Sequence, residues 1–136
     1  MKVAVIGNGN VGMATFKELQ KYREIQELVL IGRNQDKLYA EIEDFLDAEI
    51  LQFNPTAKLS YGGYEKTKDA DIILYTAGVA QKPGQTRLEL LGENSEITRD
   101  IFTEVKKYNQ SAIIIALTNP VDIITQIIQE TTGDRK

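Results

Sequence analysis

The chain of 136 residues contains no cysteine and no histidine. Without cysteine, disulfides, thiol catalysis and thiolate metal sites are excluded. Without histidine, the chain lacks the side chain that serves most often as a general base or metal ligand near neutral pH. Any chemistry must therefore use carboxylates, Lys, Arg, Tyr or a cofactor with its own reactivity. We expect a cofactor and no metal.

A surplus of basic residues and a long apolar run are missing as well. The formal net charge is −4, which argues against a general nucleic-acid binder because such a protein needs a basic face. The longest apolar run, residues 112–117, is much shorter than the roughly 20 residues that span a bilayer. A strand pattern begins almost at residue 1, so we expect no signal peptide before it. These features predict a cytoplasmic protein with no nucleic-acid or membrane partner.

The length and an apolar share of 42% predict one globular domain over residues 1–136. Apolar runs predict buried strands at residues 2–6, 28–31, 71–76 and 112–117 and an edge strand at 58–61. Helical spacing predicts helices at residues 11–22, from 38 to near 54, and at 121–129, and a long helix marked by apolar residues at 97, 101, 105 and 108. Nearly continuous apolar strands linked by helices predict an α/β fold, a three-layer doubly wound parallel sheet.

A glycine motif, G-N-G-N-V-G, lies at residues 7–12 between the first strand and the first helix. In a dinucleotide-binding turn, Gly7 permits the sharp turn, Gly9 lets the backbone approach a pyrophosphate, and Gly12 lets helix and strand pack closely. The unpaired N–H groups and positive dipole at the helix start favour the phosphates. Because a strand precedes the motif and a helix follows it, we favour a dinucleotide site over an ordinary glycine-rich turn.

The end of the second strand lacks a carboxylate. An acidic residue about 20 positions after the glycine motif usually binds the ribose hydroxyls, but Gly32 and Arg33 stand there. A guanidinium pairs bidentately with a phosphate, whereas an aspartate would repel it. The pattern predicts a cofactor preference that is relaxed or directed to NADP, with a solvated turn residue as the alternative for Arg33.

A polar loop, G-V-A-Q-K-P-G-Q-T-R at residues 78–87, leaves the end of a strand, where open α/β sheets bind ligands. Thr86 and Glu89 are spaced as a capping box, which places Arg87 in the first helical turn. A cation there opposes the helix dipole at a cost of roughly 0.3–1 kcal/mol. That cost favours a functional Arg87 over a surface arginine.

The motif T-N-P-V-D follows the last strand at residues 118–122. Asn119 is predicted to cap the last helix, Pro120 to take its first position, and Asp122 to lie near its positive end. Capping is a serious alternative to ligand binding for this motif, and the two roles can coexist.

Together, residues 7–12, 76–78, 81–88 and 118–122 resemble the lactate/malate dehydrogenase family. The likeness covers essentially the whole chain. It implies a Rossmann domain with strand order 3-2-1-4-5 that binds NAD or NADP. It further implies an oxidoreductase that moves a hydride between nicotinamide and a small 2-oxo or 2-hydroxy acid.

The resemblance also implies roles for individual residues. Arg87 corresponds to the mobile-loop arginine that polarises the substrate carbonyl, and Asn119 contacts both substrate and cofactor. Gln81 falls where the family reads the substrate side chain; glutamine is lactate-like there, whereas malate enzymes carry arginine. The predicted cofactor-binding residues are Gly7, Gly9, Asn10, Val11, Gly12, Gly32, Arg33, Thr76, Ala77, Gly78, Asn94, Leu117 and Asn119.

The chain departs from the family in two respects. Gly32 replaces the ribose-binding aspartate, and the chain stops at Lys136, before the family's sixth strand and its substrate domain with the catalytic histidine. We therefore expect a cofactor-binding half that is inactive alone. A stand-alone dinucleotide-binding module is the alternative, and an NAD-dependent glycosidase is less favoured because an arginine lid suits a carboxylate-bearing substrate. With no sixth strand beside residues 112–117, we expect homo-oligomers to form through that edge or its apolar face.

Overall fold

The computed structural model describes residues 1–49, 57–80 and 83–133, with residues 48, 49 and 87 described by their backbone alone. Within these ranges, the strands are β1 Lys2–Ile6, β2 Glu27–Ile31, β3 Lys58–Gly62, β4 Ile72–Tyr75 and β5 Ile113–Ala116. The helices are α1 Asn10–Leu19, α2 Gln35–Glu49, α3 Arg87–Val105 and α4 Val121–Thr132, with a 3₁₀ turn at Tyr64–Thr67. No helix in the described ranges is long and apolar enough to cross a membrane.

The strands form one parallel sheet in the order β3-β2-β1-β4-β5. This confirms the predicted α/β class and strand order. Ile6, the last residue of β1, pairs with Ile31 of β2 and with Tyr75 of β4. Because these three strands end in register, the segments that follow them meet at one edge of the sheet.

Helices cover both faces of the sheet, as period-two alternation along β1 requires. Val3 and Val5 pack on one face in a cluster with Phe16 of α1 and Leu38 of α2. Ala4 and Ile6 face the other side, in a cluster with residues of α3 and α4. The apolar runs of β1 and β2 are therefore buried because each face of these strands has its own core.

The prediction that residues 112–117 form a buried strand is wrong for one face of β5. Ile113 and Ile115 are 66% and 44% exposed, whereas Ile114 packs against the α3–α4 cluster. The helices α1 and α2 belong to the cluster around β1 and β2, and β5 lies at the sheet edge beyond β4. Nothing in the described part of the chain covers this outer face.

The C-terminal ends of three helices differ from the prediction: two helices end earlier and one ends later. α1 ends at Leu19, after which the chain turns with the Tyr22 N–H donating to the Leu19 carbonyl at 3.2 Å. α3 ends at Val105, before Tyr108, and α4 continues to Thr132, where Gly133 ends it with a φ of 79°. The predicted end of the second helix, at residues 50–54, lies outside the described residues.

Candidate functional site

The ends of β1, β2 and β4 open into one cleft with a volume of about 370 Å³. We call it the sheet-end cleft. Of the predicted cofactor residues, it is lined by Gly7, Gly9, Gly32, Arg33, Thr76, Ala77 and Gly78. Its other lining residues are Ile6, Asn8, Ile31, Tyr64, Val79, Ile97, Asp100, Ile101 and Glu104. The fold therefore brings together residues that are up to 98 positions apart in the sequence.

The turn after β1 is built so tightly that two of its positions require glycine. Gly7 has a φ of 111°, and a Cβ there would lie 2.7 Å from the Ala77 backbone nitrogen. A Cβ at Gly12 would lie 1.9 Å from the Gly7 carbonyl oxygen. The Thr76 hydroxyl donates to the carbonyls of Ile6 at 3.0 Å and Gly7 at 3.2 Å, so the end of β4 holds the turn in place.

The N-terminus of α1 fits a phosphate group. Its N-cap residue is Gly9. Within the residues that the structure describes, no side chain caps α1 and its first turn has no acidic residue. By contrast, α2 and α4 carry Asp36 and Asp122 in their first turns. A Cβ at Gly9 would meet nothing within 4 Å, so there is open space beside the unpaired N–H groups of the helix start. This cradle suits the pyrophosphate of a dinucleotide.

A polar network joins the glycine turn to α2 beside Gly32. The Asn8 amide donates to Glu41 Oε2 at 3.1 Å, and Lys37 Nζ donates to the Asn8 carbonyl at 3.3 Å. Lys37 Nζ also lies 3.5 Å from Glu41 Oε1. This network was not predicted from the sequence, where its local signal is the i, i+4 spacing of Lys37 and Glu41.

The outer wall of the cleft comes from α3 and the 3₁₀ turn, neither of which was predicted to line a site. Tyr64 is half-buried, and burial of its hydroxyl raises its pKa; Arg33 opposes that rise, and Glu104 and Asp100 add to it. Ile97 and Ile101 also line the wall. Their helical spacing was visible in the sequence but indicated packing alone.

Asn94 supports the cleft from behind the loop that follows β4. It is 3% exposed, and its Oδ1 accepts a hydrogen bond from the Val79 backbone N–H at 2.8 Å. From the other side, the Thr118 hydroxyl donates to the Ala77 carbonyl at 2.8 Å. A Cβ at Gly78 would lie 3.0 Å from Thr118 and 3.1 Å from Asn94, so the backbone of this loop is held between the two side chains.

The capping box at the start of α3 is confirmed. The Glu89 N–H donates to Thr86 Oγ1 at 3.2 Å, and the Thr86 N–H donates to Glu89 Oε2 at 2.8 Å. The Thr86 hydroxyl also donates to Glu89 Oε2, at 2.9 Å. The two hydrogen bonds that the Glu89 carboxylate accepts from Thr86, from the N–H and from the hydroxyl, lower the pKa of Glu89. Arg87 is the first residue of α3, as predicted. Gln81 lies outside the described residues, and the roles of Gln81 and Arg87 stay predictions.

The predicted cap of α4 is wrong by one residue. Pro120, not Asn119, is the N-cap, and Val121 is the first helical residue. Pro120 has an extended backbone, with a φ of −76° and a ψ of 121°, so the helix begins only after it. Asp122 lies in the first turn, as predicted, and Asn119 is exposed at the end of β5.

The remaining predicted cofactor residues lie around the cleft rather than in its wall. Asn10 and Val11 begin α1, next to the glycine turn, and both are exposed. Leu117 follows β5 and donates its N–H to the Tyr75 carbonyl at 2.8 Å, beside the end of β4. Leu117 and Asn119 thus extend the same edge of the sheet by one strand.

The fold, the glycine turn after β1 and the sheet-end cleft define a Rossmann-type NAD-binding domain. The chain belongs to the lactate/malate dehydrogenase family, since the profile of the family's NAD binding domain matches residues 1–136. L-lactate dehydrogenase from Clostridium perfringens (strain SM101 / Type A) is 39% identical over 132 residues, which are 97% of this chain and 41% of that protein. L-lactate dehydrogenase 2 from Lactococcus lactis subsp. lactis (strain IL1403) is 42% identical over 132 residues, covering 97% and 42%.

Solved structures show the same likeness. The malate dehydrogenase from Aeropyrum pernix superposes with a TM-score of 0.87 at 36% identity, covering 96% of this chain and 42% of that one. The lactate dehydrogenase from Cryptosporidium parvum, complexed with lactic acid and β-nicotinamide adenine dinucleotide, superposes with a TM-score of 0.85 at 28% identity, covering 97% and 41%. The chain spans about two-fifths of the length of the curated relatives it matches.

Proposed function

We propose that this chain is the cofactor-binding part of an NAD(P)-dependent L-2-hydroxy-acid dehydrogenase with a lactate-like substrate. The observation that carries the proposal is the uncapped N-terminus of α1, which opens beside Gly9 into the sheet-end cleft. The lactate/malate dehydrogenase family supplies the reaction class. When bound, the nicotinamide cofactor carries the hydride, and the protein binds and orients it.

The chain's own residues divide the cleft into parts. The N–H groups at the start of α1, at Asn10, Val11 and Gly12, hold the pyrophosphate. Gly32 and Arg33 take the ribose end at β2, where a small residue and a guanidinium leave room for a 2′-phosphate. The cofactor is therefore NAD or NADP, with a relaxed preference or one directed to NADP.

The other end of the cleft receives the reacting groups. Thr76, Ala77 and Gly78 form the floor along which the cofactor extends from the turn, and Asn94 fixes that floor through Val79. Leu117 and Asn119 border it at β5. Gln81, before α3 in the sequence, reads the side chain of a 2-oxo acid, and Arg87, the first residue of α3, polarises its carbonyl. The L-lactate dehydrogenases among the relatives support a lactate-like substrate.

The chain alone is inactive in this proposal. It has no histidine to move a proton, and loss of general acid/base catalysis typically costs 10²–10⁴-fold. The rival, a binding module that never had a catalytic half, has the same cleft and differs only in what its gene encodes beyond this segment. Cytoplasmic location and homo-oligomerisation stay predictions.

Titration of the purified 136-residue chain with NADH by calorimetry tests the proposal. We expect saturable one-to-one binding and no reduction of pyruvate. Gly9→Asp should fold, because the site has space for a side chain and aspartate is a good N-cap, but its charge should oppose the pyrophosphate.

The matched control is Gly9→Asn, which caps equally well without the charge. We expect Gly9→Asp to weaken NADH binding by roughly tenfold beyond the loss in Gly9→Asn. Absence of NADH binding to the unmodified chain would overturn the proposed cofactor site. Pyruvate reduction by the pure chain would overturn its inactivity.

A further inference from the structure

The outer end of the sheet-end cleft carries charges of both signs. Arg33, after β2, is exposed on one wall, and Asp100 and Glu104 lie on the wall formed by α3. The two acidic residues are four positions apart on α3, so they lie on the same side of the helix. The charge of this end is therefore set by one guanidinium and two carboxylates.

The Tyr64 hydroxyl shows that these groups act on the same space. Its pKa is raised chiefly by burial, then lowered by Arg33, and raised again by Glu104 and Asp100. A charge can act in this way only over short distances, because water and salt screen it beyond about 10 Å. A further anion placed near Arg33 at this end would be subject to the same carboxylates.

Two lysines near the cleft form ion pairs with glutamates. Lys107 pairs with Glu104, which reduces the effect of that carboxylate on its surroundings. Lys37 lies by the glycine turn, and Glu41 pairs with it at 3.5 Å, so this second pair contributes little net charge. At Tyr64 the charge of Glu104 nevertheless acts more strongly than that of Asp100, so both acidic residues should contribute.

We propose that Asp100 and Glu104 are specificity-determining residues that act against a 2′-phosphate on the cofactor, in opposition to Arg33. This inference rests on the proposed function, because it assumes that the adenosine end of a dinucleotide lies at Gly32 and Arg33. A 2′-phosphate carries roughly −1.5 to −2 charges at neutral pH, whereas the ribose hydroxyl of NAD carries none. Carboxylates on the facing wall thus weaken NADP binding and leave NAD binding nearly unchanged. Because no carboxylate stands at Gly32, the balance between the charge of Arg33 and the charges of Asp100 and Glu104 sets the preference between NAD and NADP.

The experiment compares dissociation constants for NADH and NADPH, which differ only in the 2′-phosphate. The 136-residue chain and its variants Asp100→Asn, Glu104→Gln and the double variant are titrated at low ionic strength. Each single variant should shift the ratio of the two constants toward NADPH by roughly two- to fourfold, and the double variant should shift it further. Arg33→Gln should shift it toward NADH. Glu96→Gln is the matched control, since Glu96 is exposed on α3 and does not line the cleft.

Salt separates a charge effect from a change of shape. Raising the ionic strength from about 0.02 M to about 0.3 M should remove most of the shift, because the Debye length falls well below 10 Å. If NADH binds and the double variant has the same ratio of NADH to NADPH dissociation constants as Glu96→Gln, the inference is overturned and the proposed function stands. A shift that persists undiminished at high salt would also overturn it. If neither nucleotide binds the unmodified chain, the proposed function falls and takes the inference with it.

Discussion

A single substitution at Gly32 tests the cofactor preference. In the unmodified chain, NADPH should bind at least as tightly as NADH, since no carboxylate stands at the end of β2. A Cβ at Gly32 would lie 3.3 Å from Leu38 and 3.4 Å from the Asn8 amide oxygen, so Gly32→Asp needs only small side-chain movements. We expect Gly32→Asp to reverse the preference, with NADPH weakened relative to NADH by roughly tenfold or more, because the new carboxylate accepts from the ribose hydroxyls and repels the 2′-phosphate.

The control for this substitution is Gly92→Asp, which adds the same charge at an exposed position of α3 where a Cβ meets nothing within 4 Å. The ratio of its dissociation constants for NADH and NADPH should match that of the unmodified chain. Tighter binding of NADH than NADPH by the unmodified chain would contradict the prediction, and Arg33 would then be a solvated turn residue.

At the scale of the element, the start of α3 depends on the charge of Glu89. The Thr86 N–H and hydroxyl both donate to its carboxylate, at 2.8 Å and 2.9 Å, and these bonds lower its pKa in the folded chain. A carboxyl group whose pKa is lowered by folding stabilises the fold above its unfolded pKa, and this contribution is lost as the pH falls through the lowered value. Glu89→Gln should therefore be less stable than the unmodified chain at neutral pH, and the two should converge in acid.

Urea unfolding at a series of pH values measures that difference, with the exposed Glu96→Gln on the same helix as the control. The difference in free energy of unfolding between Glu96→Gln and the unmodified chain should stay small over the whole pH range. A gap for Glu89→Gln that is constant down to the acid limit would show that the carboxylate charge plays no part in the capping box.

At the scale of the whole molecule, the open side of β5 predicts self-association. Ile113 and Ile115 are 66% and 44% exposed, and Leu117 beyond them is 37% exposed. An apolar edge strand without charge or proline is a template for pairing with a second copy of the chain. We expect dimers or larger species in sedimentation at tens of micromolar.

Ile113→Lys should reduce this association, because a charge on an edge strand discourages pairing. The control is Leu88→Lys, at an apolar residue on α3 that is 78% exposed and distant in sequence from β5. If the unmodified chain sediments as a monomer, the prediction fails. Equal association of the two variants would move the interface away from β5.

Features that depend on neighbours along the chain could be predicted from the amino-acid sequence. The strand patterns, the tight turn at Gly7 and the capping box at Thr86 each follow from local geometry: apolar period, positive φ, and a three-residue spacing. The strand order also followed, but through the family resemblance and not from any local pattern. The shift from Asn119 to Pro120 at the start of α4 shows the limit of local rules, because those rules favour asparagine as the N-cap and proline at the first helical position, whereas the backbone angles make Pro120 the N-cap.

The set of side chains that line the cleft follows from the packing of distant segments against one another. Tyr64, Asp100 and Glu104 come from elements whose sequence shows no sign of facing Arg33, because helical periodicity marks the buried side of α3 but not what lies beside it. Asn94 could be placed behind the loop only when its bond to Val79, 15 positions away, was known. The exposure of Ile113 likewise depended on where α1 and α2 pack, which is a property of the assembled sheet and not of β5. Contacts between distant segments form only when the packed layers bring them together. For that reason they could not be predicted from patterns along the sequence.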